Sequence, residues 1–396
     1  MIVLAGGDVV LPDRLLSNAS VAVEGAHIAS VETRRRVDSQ NAQVVDTTGC
    51  YVVPGFVDVH VHGVEGHDTL GGTDSITQIA SRLPRYGVTA FCPTTVACPP
   101  EDLRIVLDAV RRARMSRSLQ SARVLAAHIE SNFINPDYAG AQPRECLRAA
   151  ADDVRDGSFS ARDILNVIAG SAPDVGIVTL APELPGGLDL VRMLAGDGHR
   201  VSLGHSGANF EEALAAIEAG ARHATHLFNR MTPMTHRAPG LAGAVLARED
   251  IAAELICDGY HVHPAMARVA VAAKGVGGIM AITDGTAGSG LPPGSKAQLG
   301  KRAIRVDSHA VVLEDGTLAG STLTMDRAFG NIVTMFGGSI VDAACLCSTT
   351  PCRQLGLVGF GLIAEGAFAD LVVMDAAFRV VRTLIGGEEV FYRGQS

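Results

Sequence analysis

Eight strand-like runs recur between residues 56 and 285, and that recurrence limits the chain to few architectures. They are Phe56–His62, Val88–Val96, Arg123–Ser131, Gly176–Glu183, Arg200–Ser206, His223–Asn229, Ile251–Gly259 and Gly277–Gly285. Most are separated by segments with apolar residues at three- and four-residue spacing, the mark of helices with one buried face. Asp102–Arg114, Leu188–Leu194 and Phe210–Ala219 are examples, the last stopped by Gly220. Eight strands alternating with helices predict an α/β chain folded as a (β/α)8 TIM barrel rather than an open sheet. The 396 residues exceed the roughly 250 of a bare barrel, so an accessory unit is expected. Short β-like runs supply it: Ala19–Val23 and His27–Val31 on one side, Asp370–Asp375, Val380–Leu384 and Glu389–Tyr392 on the other. Neither end can hold a core by itself. They are expected to join as one small β-sandwich domain from residues 1–53 and 350–396, with the barrel over 54–349. The Gly- and Pro-rich tract Gly285–Gly300 reads as a mobile loop after the last strand.

Composition narrows the partners. Hydrophobic residues make up 47% and charged residues 19%, ample for a globular core. A net charge of −9, with only short basic stretches at Arg34–Arg36 and Arg111–Arg117, argues against nucleic acid. No apolar run approaches the roughly 18 residues of a membrane span, and the first residues lack a basic leader, so no membrane partner is expected. Eight cysteines without paired spacing read as free thiols in a reducing, cytoplasmic compartment.

Barrel enzymes carry their chemistry at the C-terminal strand ends. Strand one ends with His60 and His62, two apart and therefore on one face. Strand three ends with Glu130, strand five with His205, strand six with His226 and strand eight with Asp284. A single histidine of this kind is usually a satisfied core residue, and Asp284 before a glycine could be a turn former. Four histidines and two carboxylates at five separate strand ends are hard to assign to chance, and they predict a metal site. Histidine and carboxylate ligands without thiolate favour zinc, with iron or manganese behind it, in a hydrolytic centre. Asp284 is then the candidate general acid/base, and Glu130 can bind one ion or bridge two. His226 or a neighbouring donor is expected to stabilise a developing oxyanion. His199, His223, His263 and His309 read as structural or solvent residues.

Several runs are more specific than His-x-His. They include Pro54–Gly63, Phe133–Pro136, Leu180–Glu183, Gly204–Ser206, His226–Met231, Asp258–His261, Thr283–Gly285 and Leu318–Thr322. Together they resemble the amidohydrolase superfamily, and within it the N-acetylglucosamine-6-phosphate deacetylase family. The resemblance implies release of acetate from a 2-acetamido sugar phosphate. It implies Glu130, His205 and His226 as ligands of one divalent metal, and His60 and His62 as the pair that holds a second in some members. It implies Asp284 as the acid/base, and Asn229, the Arg230 backbone, Arg237 and His261 as phosphate contacts. It also implies a homodimer in which phosphate contacts come partly from the neighbouring subunit. Arg237, on a loop after strand six, suits two-pronged phosphate binding, with a solvated loop arginine as the alternative.

Two departures bear on the substrate. Glu130-Ser131-Asn132 stands where the family has Glu-Gly-Pro, and Gln142 stands where the family has a histidine touching a sugar hydroxyl. N-Acetylglucosamine 6-phosphate is therefore the first expectation, with the galacto epimer or another N-acyl compound behind it. A dihydroorotase-like cyclic amidase would need a lysine where strand four ends Leu180-Ala181-Pro182-Glu183. A catalytically silent barrel would commonly have lost some of the six side chains.

Overall fold

The computed structural model describes residues 1–34, 42–116, 118–152 and 159–394. Arg35, Arg36 and Arg117 of the two basic stretches lie outside the described residues. Eight parallel strands form the barrel: Phe56–Val61, Val88–Thr95, Ala127–Glu130, Val175–Leu180, Arg200–Leu203, His223–Ala224, Ala252–Ile256 and Ile279–Ile282. Each pairs with the next in this order. The last returns to the first through a parallel bridge between Val61 and Gly285, and the Asp284 N–H donates to the His60 carbonyl at 3.0 Å. Helices cover the outside. In the helix Pro100–Met115, Leu103, Val106, Leu107 and Val110 share the buried face. Phe210–Glu218 starts on a capping box, in which Asn209 and Glu212 exchange side-chain and backbone bonds. Strand one is buried at all six positions, as a strand packed on both faces must be.

Several strands are shorter than their sequence runs suggest. Strand six covers only His223–Ala224, and strands five, seven and eight stop before Gly204, Cys257 and Thr283. The chain leaves extended geometry because His205, His226, Phe228 and Asp284 all adopt positive φ, at 46°, 30°, 76° and 48°. The functional strand ends are thus tight turns.

Segments from both chain ends form one eight-stranded sheet. Its main path runs His27–Glu32, Leu15–Glu24, Ile2–Val10, Tyr51–Pro54, Leu371–Met374, Val380–Ile385 and Glu388–Tyr392, and Gln43–Asp46 lies beside Ile2–Val10. The expected sandwich takes the form of a single sheet packed on a core that includes Leu4, Val21, Ile28, Val52, Leu371 and Val373. Tyr51–Pro54 feeds into strand one through Gly55, where a Cβ would collide with the Thr89 side chain.

The tract Gly285–Gly300 is anchored rather than loose. Glu65 and Gly66 donate backbone bonds to Ser289 and Ala287 at 2.8 and 2.7 Å. Lys296–Leu299 then opens a three-stranded antiparallel sheet with Arg302–Val306 and Val311–Val312. Val96, Leu299, Ile304, Val311 and Leu313 pack beneath it and hold it over the barrel rim. Among the described residues, no helix is long and apolar enough to cross a membrane.

Candidate metal centre

The six strand-end residues meet at the C-terminal rim. His205 Nε2 and His226 Nε2 both lie 3.1 Å from Glu130 Oε1 and 3.0 Å from each other. His60 Nε2 and His62 Nε2 are 3.2 Å apart, and Asp284 Oδ1 sits 3.4 and 3.3 Å from them. Glu130 Oε2 faces His62 Nε2 at 3.5 Å. All six side chains are buried. Three of them, His205, His226 and Asp284, hang from left-handed backbone. Strain of this kind costs about 1–3 kcal/mol per residue and persists where the surroundings over-determine it.

Their electrostatics reflect the crowding. Burial opposes the charged form of His60, but Glu254, Asp284 and Glu130 outweigh it and lift the imidazole to about 10. Burial would raise the Glu130 carboxyl, yet His205 and His226 hold it well below the usual range. Asp284 is likewise held down by His60 and His62 against its burial.

This donor set fits a divalent cation. Among the described residues, three groups of nitrogen and oxygen donors each lie within 4.8 Å of one another: Glu130, His205 and His226; His60, His62 and Glu130; and, behind the rim, His60, His128 and Glu254. Paired ring nitrogens at 3.0–3.2 Å cannot all accept bonds from one another, and a shared cation satisfies every lone pair at once. The rear of His205 is fixed for this purpose, because its Nδ1 meets the Tyr138 carbonyl at 2.7 Å and leaves Nε2 inward.

A cavity opens on the cluster. Glu130, His62, His205, His226 and Asp284 form its floor, while Gln142, Asn229, Arg230 and His261 line it, with Leu299 and Leu318 from the anchored flap. His261 Nδ1 meets Asp258 Oδ2 at 2.6 Å, which leaves Nε2 available. The structure does not bring Arg237 to this cavity; it is exposed on its loop.

The family departures behave unexpectedly. Gln142 uses both ends of its amide, accepting from the Ala97 N–H at 2.8 Å and donating to Glu130 Oε2. Ser131 bonds the Thr179 carbonyl at 2.5 Å, and Asn132 bonds the carbonyls of Cys98 and Cys146 at 2.9 and 2.7 Å. Both are buried and lie outside the cavity lining. Glu183, in the turn beyond strand four, clamps the loop after strand five through Ser206 Oγ at 2.7 Å.

Sequence reasoning passed over Glu254, which is wholly buried behind His60. An acidic residue inside the apolar run Ala252–Ile256 was the available signal. A larger cavity, about 1010 Å³, opens on the opposite end of the barrel, between Arg111, Arg114, Asp174 and Arg200, and holds none of the six.

Comparison with known proteins agrees with this architecture. The amidohydrolase family model matches residues 51–390. The chain belongs to the amidohydrolase family. It is 33% identical over 387 residues to the N-acetylglucosamine-6-phosphate deacetylase of Bacillus subtilis (strain 168), covering 97% of this chain and 95% of that protein. It is 34% identical over 338 residues to the N-acetylgalactosamine-6-phosphate deacetylase of Escherichia coli O157:H7, covering 85% and 86%. A Mycobacterium smegmatis N-acetyl-D-glucosamine-6-phosphate deacetylase mutant, in complex with N-acetyl-D-glucosamine-6-phosphate, superposes with a TM-score of 0.88 at 29% identity over 98% of this chain and 99% of that one.

Proposed function

We propose that this chain is a metal-dependent hydrolase of a linear amide that removes acetate from a 2-acetamido-2-deoxy sugar 6-phosphate, N-acetylglucosamine 6-phosphate first. The convergence of four histidines and two carboxylates in one rim cluster, five of them lining a single cavity, carries this reading. The relatives that match over most of the chain bear deacetylase names. In this reading Glu130, His205 and His226 would hold one ion, zinc before iron or manganese, and His60 and His62 with Glu130 would hold a second where two are bound. A divalent ion there supplies Lewis acidity toward an amide carbonyl.

The chain's own groups supply the rest. Asp284 takes a proton from the attacking water as its oxygen adds to the acetyl carbon. It then returns that proton to the departing nitrogen as the C–N bond breaks, giving acetate and the amino sugar phosphate. His226 assists the developing oxyanion. Asn229, the Arg230 backbone and His261 face the phosphate, and Gln142 keeps a place beside the sugar through Glu130. Arg237, exposed in its own subunit, serves the cavity of a partner in a homodimer. The barrel of residues 54–349 carries the chemistry, with 1–53 and 350–396 as the accessory domain, in a cytoplasmic enzyme.

The test is acetate release by metal-loaded protein from N-acetylglucosamine 6-phosphate, its galacto epimer, both unphosphorylated sugars and dihydroorotate. Turnover confined to the 6-phosphates supports the proposal. Silence on both phosphosugars contradicts it. The galacto epimer stands as a second reading because a relative of that name matches at similar identity.

A further inference from the structure

Behind His60 a line of polar contacts runs the length of the barrel. His60 Nδ1 stands 2.8 Å from Glu254 Oε2, and the same oxygen accepts the His226 backbone N–H at 3.0 Å. Glu254 Oε1 meets His223 Nε2 at 2.8 Å. On its other side, His223 Nδ1 accepts from Arg200 Nε at 3.1 Å. Arg200 finally donates to the carbonyls of Gln354 and Arg222, at 2.6 and 3.1 Å, where strand five begins. His60, His223 and Glu254 are all fully buried, and a buried carboxylate is tolerated only when its lone pairs are used.

The protons along this line follow from chemistry. A guanidinium has donors and no acceptor, so His223 must turn a lone pair at Nδ1 toward Arg200. Neutral His223 then carries its proton on Nε2 and gives it to Glu254. The His226 N–H can only donate. Glu254, an acceptor on both oxygens, therefore takes the Nδ1 proton of His60 as well. With Nδ1 committed to Glu254, Nε2 is the His60 nitrogen left to a cation, and it faces His62, Glu130 and Asp284.

We propose that Glu254, backed by His223 and Arg200, is the positioning residue that sets the tautomer and orientation of His60 and pins the turn carrying His226. It couples one candidate ligand from each donor group to a buried anion whose own partners are fixed from the far end of the barrel. The inference rests on the reading of the rim cluster as a metal centre.

The test compares the wild-type protein with Glu254→Gln, both stripped by chelator and titrated with Co²⁺. It reads bound metal per chain, affinity and the visible absorption bands, with far-UV circular dichroism as a check on folding. Glutamine keeps the shape but offers one acceptor oxygen to three donors and turns its own N–H groups on one of them. The expected result is about 10- to 100-fold weaker binding and altered bands, the usual effect of losing an outer partner of a ligating histidine. Arg200→Leu frees His223 to change tautomer and should weaken binding in the same sense by less, whereas Arg200→Lys keeps a donor and should restore it. Wild-type affinity and spectrum in Glu254→Gln would overturn the proposal. If that variant does not fold, unchanged affinity and bands in Arg200→Leu would do so. Failure of the wild-type protein itself to bind Co²⁺ would instead remove the metal reading beneath it.

Discussion

The two ends of the barrel present opposite kinds of cavity. The N-terminal one is large, and its charges are settled: Arg111 and Arg114 both bond Asp174, at 2.8 and 2.6 Å. Arg200 there is capped by carbonyls and His223. The C-terminal one is smaller, yet three imidazoles and two carboxylates form its floor with a fourth imidazole, His60, directly behind, all within 3.0–3.7 Å of a neighbour. His205, His226, Phe228, Arg230 and Asp284 adopt left-handed backbone at that end, while none of the non-glycine residues lining the N-terminal cavity does. Size is therefore a poor guide to chemistry in this molecule. Converging lone pairs and stored backbone strain mark the site.

Variants at the two ends should separate accordingly. Asp284→Asn should lower kcat by about 10²–10⁴-fold while metal content stays near wild type, as removal of a general acid/base does. Near-wild-type turnover in that variant would take the proton-transfer role from Asp284. Removing metal with a chelator should lower Tm, because an ion bound only by the folded chain stabilises it by mass action, and restored Zn²⁺ should bring Tm back. A Tm indifferent to chelator would mean that the rim cluster is satisfied by protons alone.

Smaller effects sharpen the picture around the C-terminal cavity. Arg237→Ala should raise KM for phosphorylated substrates about tenfold or more, in line with the loss of a charged contact, and leave unphosphorylated sugars nearly unchanged. An equal change in both would detach Arg237 from the phosphate. Gln142→Ala should weaken metal binding, through Glu130, without moving the gluco-to-galacto preference. A shifted preference would return Gln142 to direct reading of the sugar. At the other end, Arg111→Ala removes a half-exposed ion pair, which is worth little, so turnover and metal content should not change.

The contrast also explains what the sequence disclosed. Periodicity exposed the barrel because its strands are buried on both faces and its helices on one. The six rim residues were legible because each terminates a strand run, the place where barrels carry polar side chains. Glu254 escaped because one acidic residue in Ala252–Ile256 looks like noise until its three donors are seen, and they come from strands one and six and the turn beyond. Gln142 was legible as a departure, but not in its partners, since Ala97 and Glu130 lie 45 and 12 residues away. The flap over the rim was hidden because turn-forming residues conceal the short strands Lys296–Leu299 and Arg302–Val306.

Anomalous diffraction from crystals of the zinc-loaded protein, recorded on both sides of the zinc absorption edge, shows where the chain holds the ion. A metal centre at the rim gives a strong peak bounded by Glu130, His205 and His226, with any second peak beside His60 and His62. Crystals whose anomalous map is empty at the rim, or peaks elsewhere in the molecule, would contradict it.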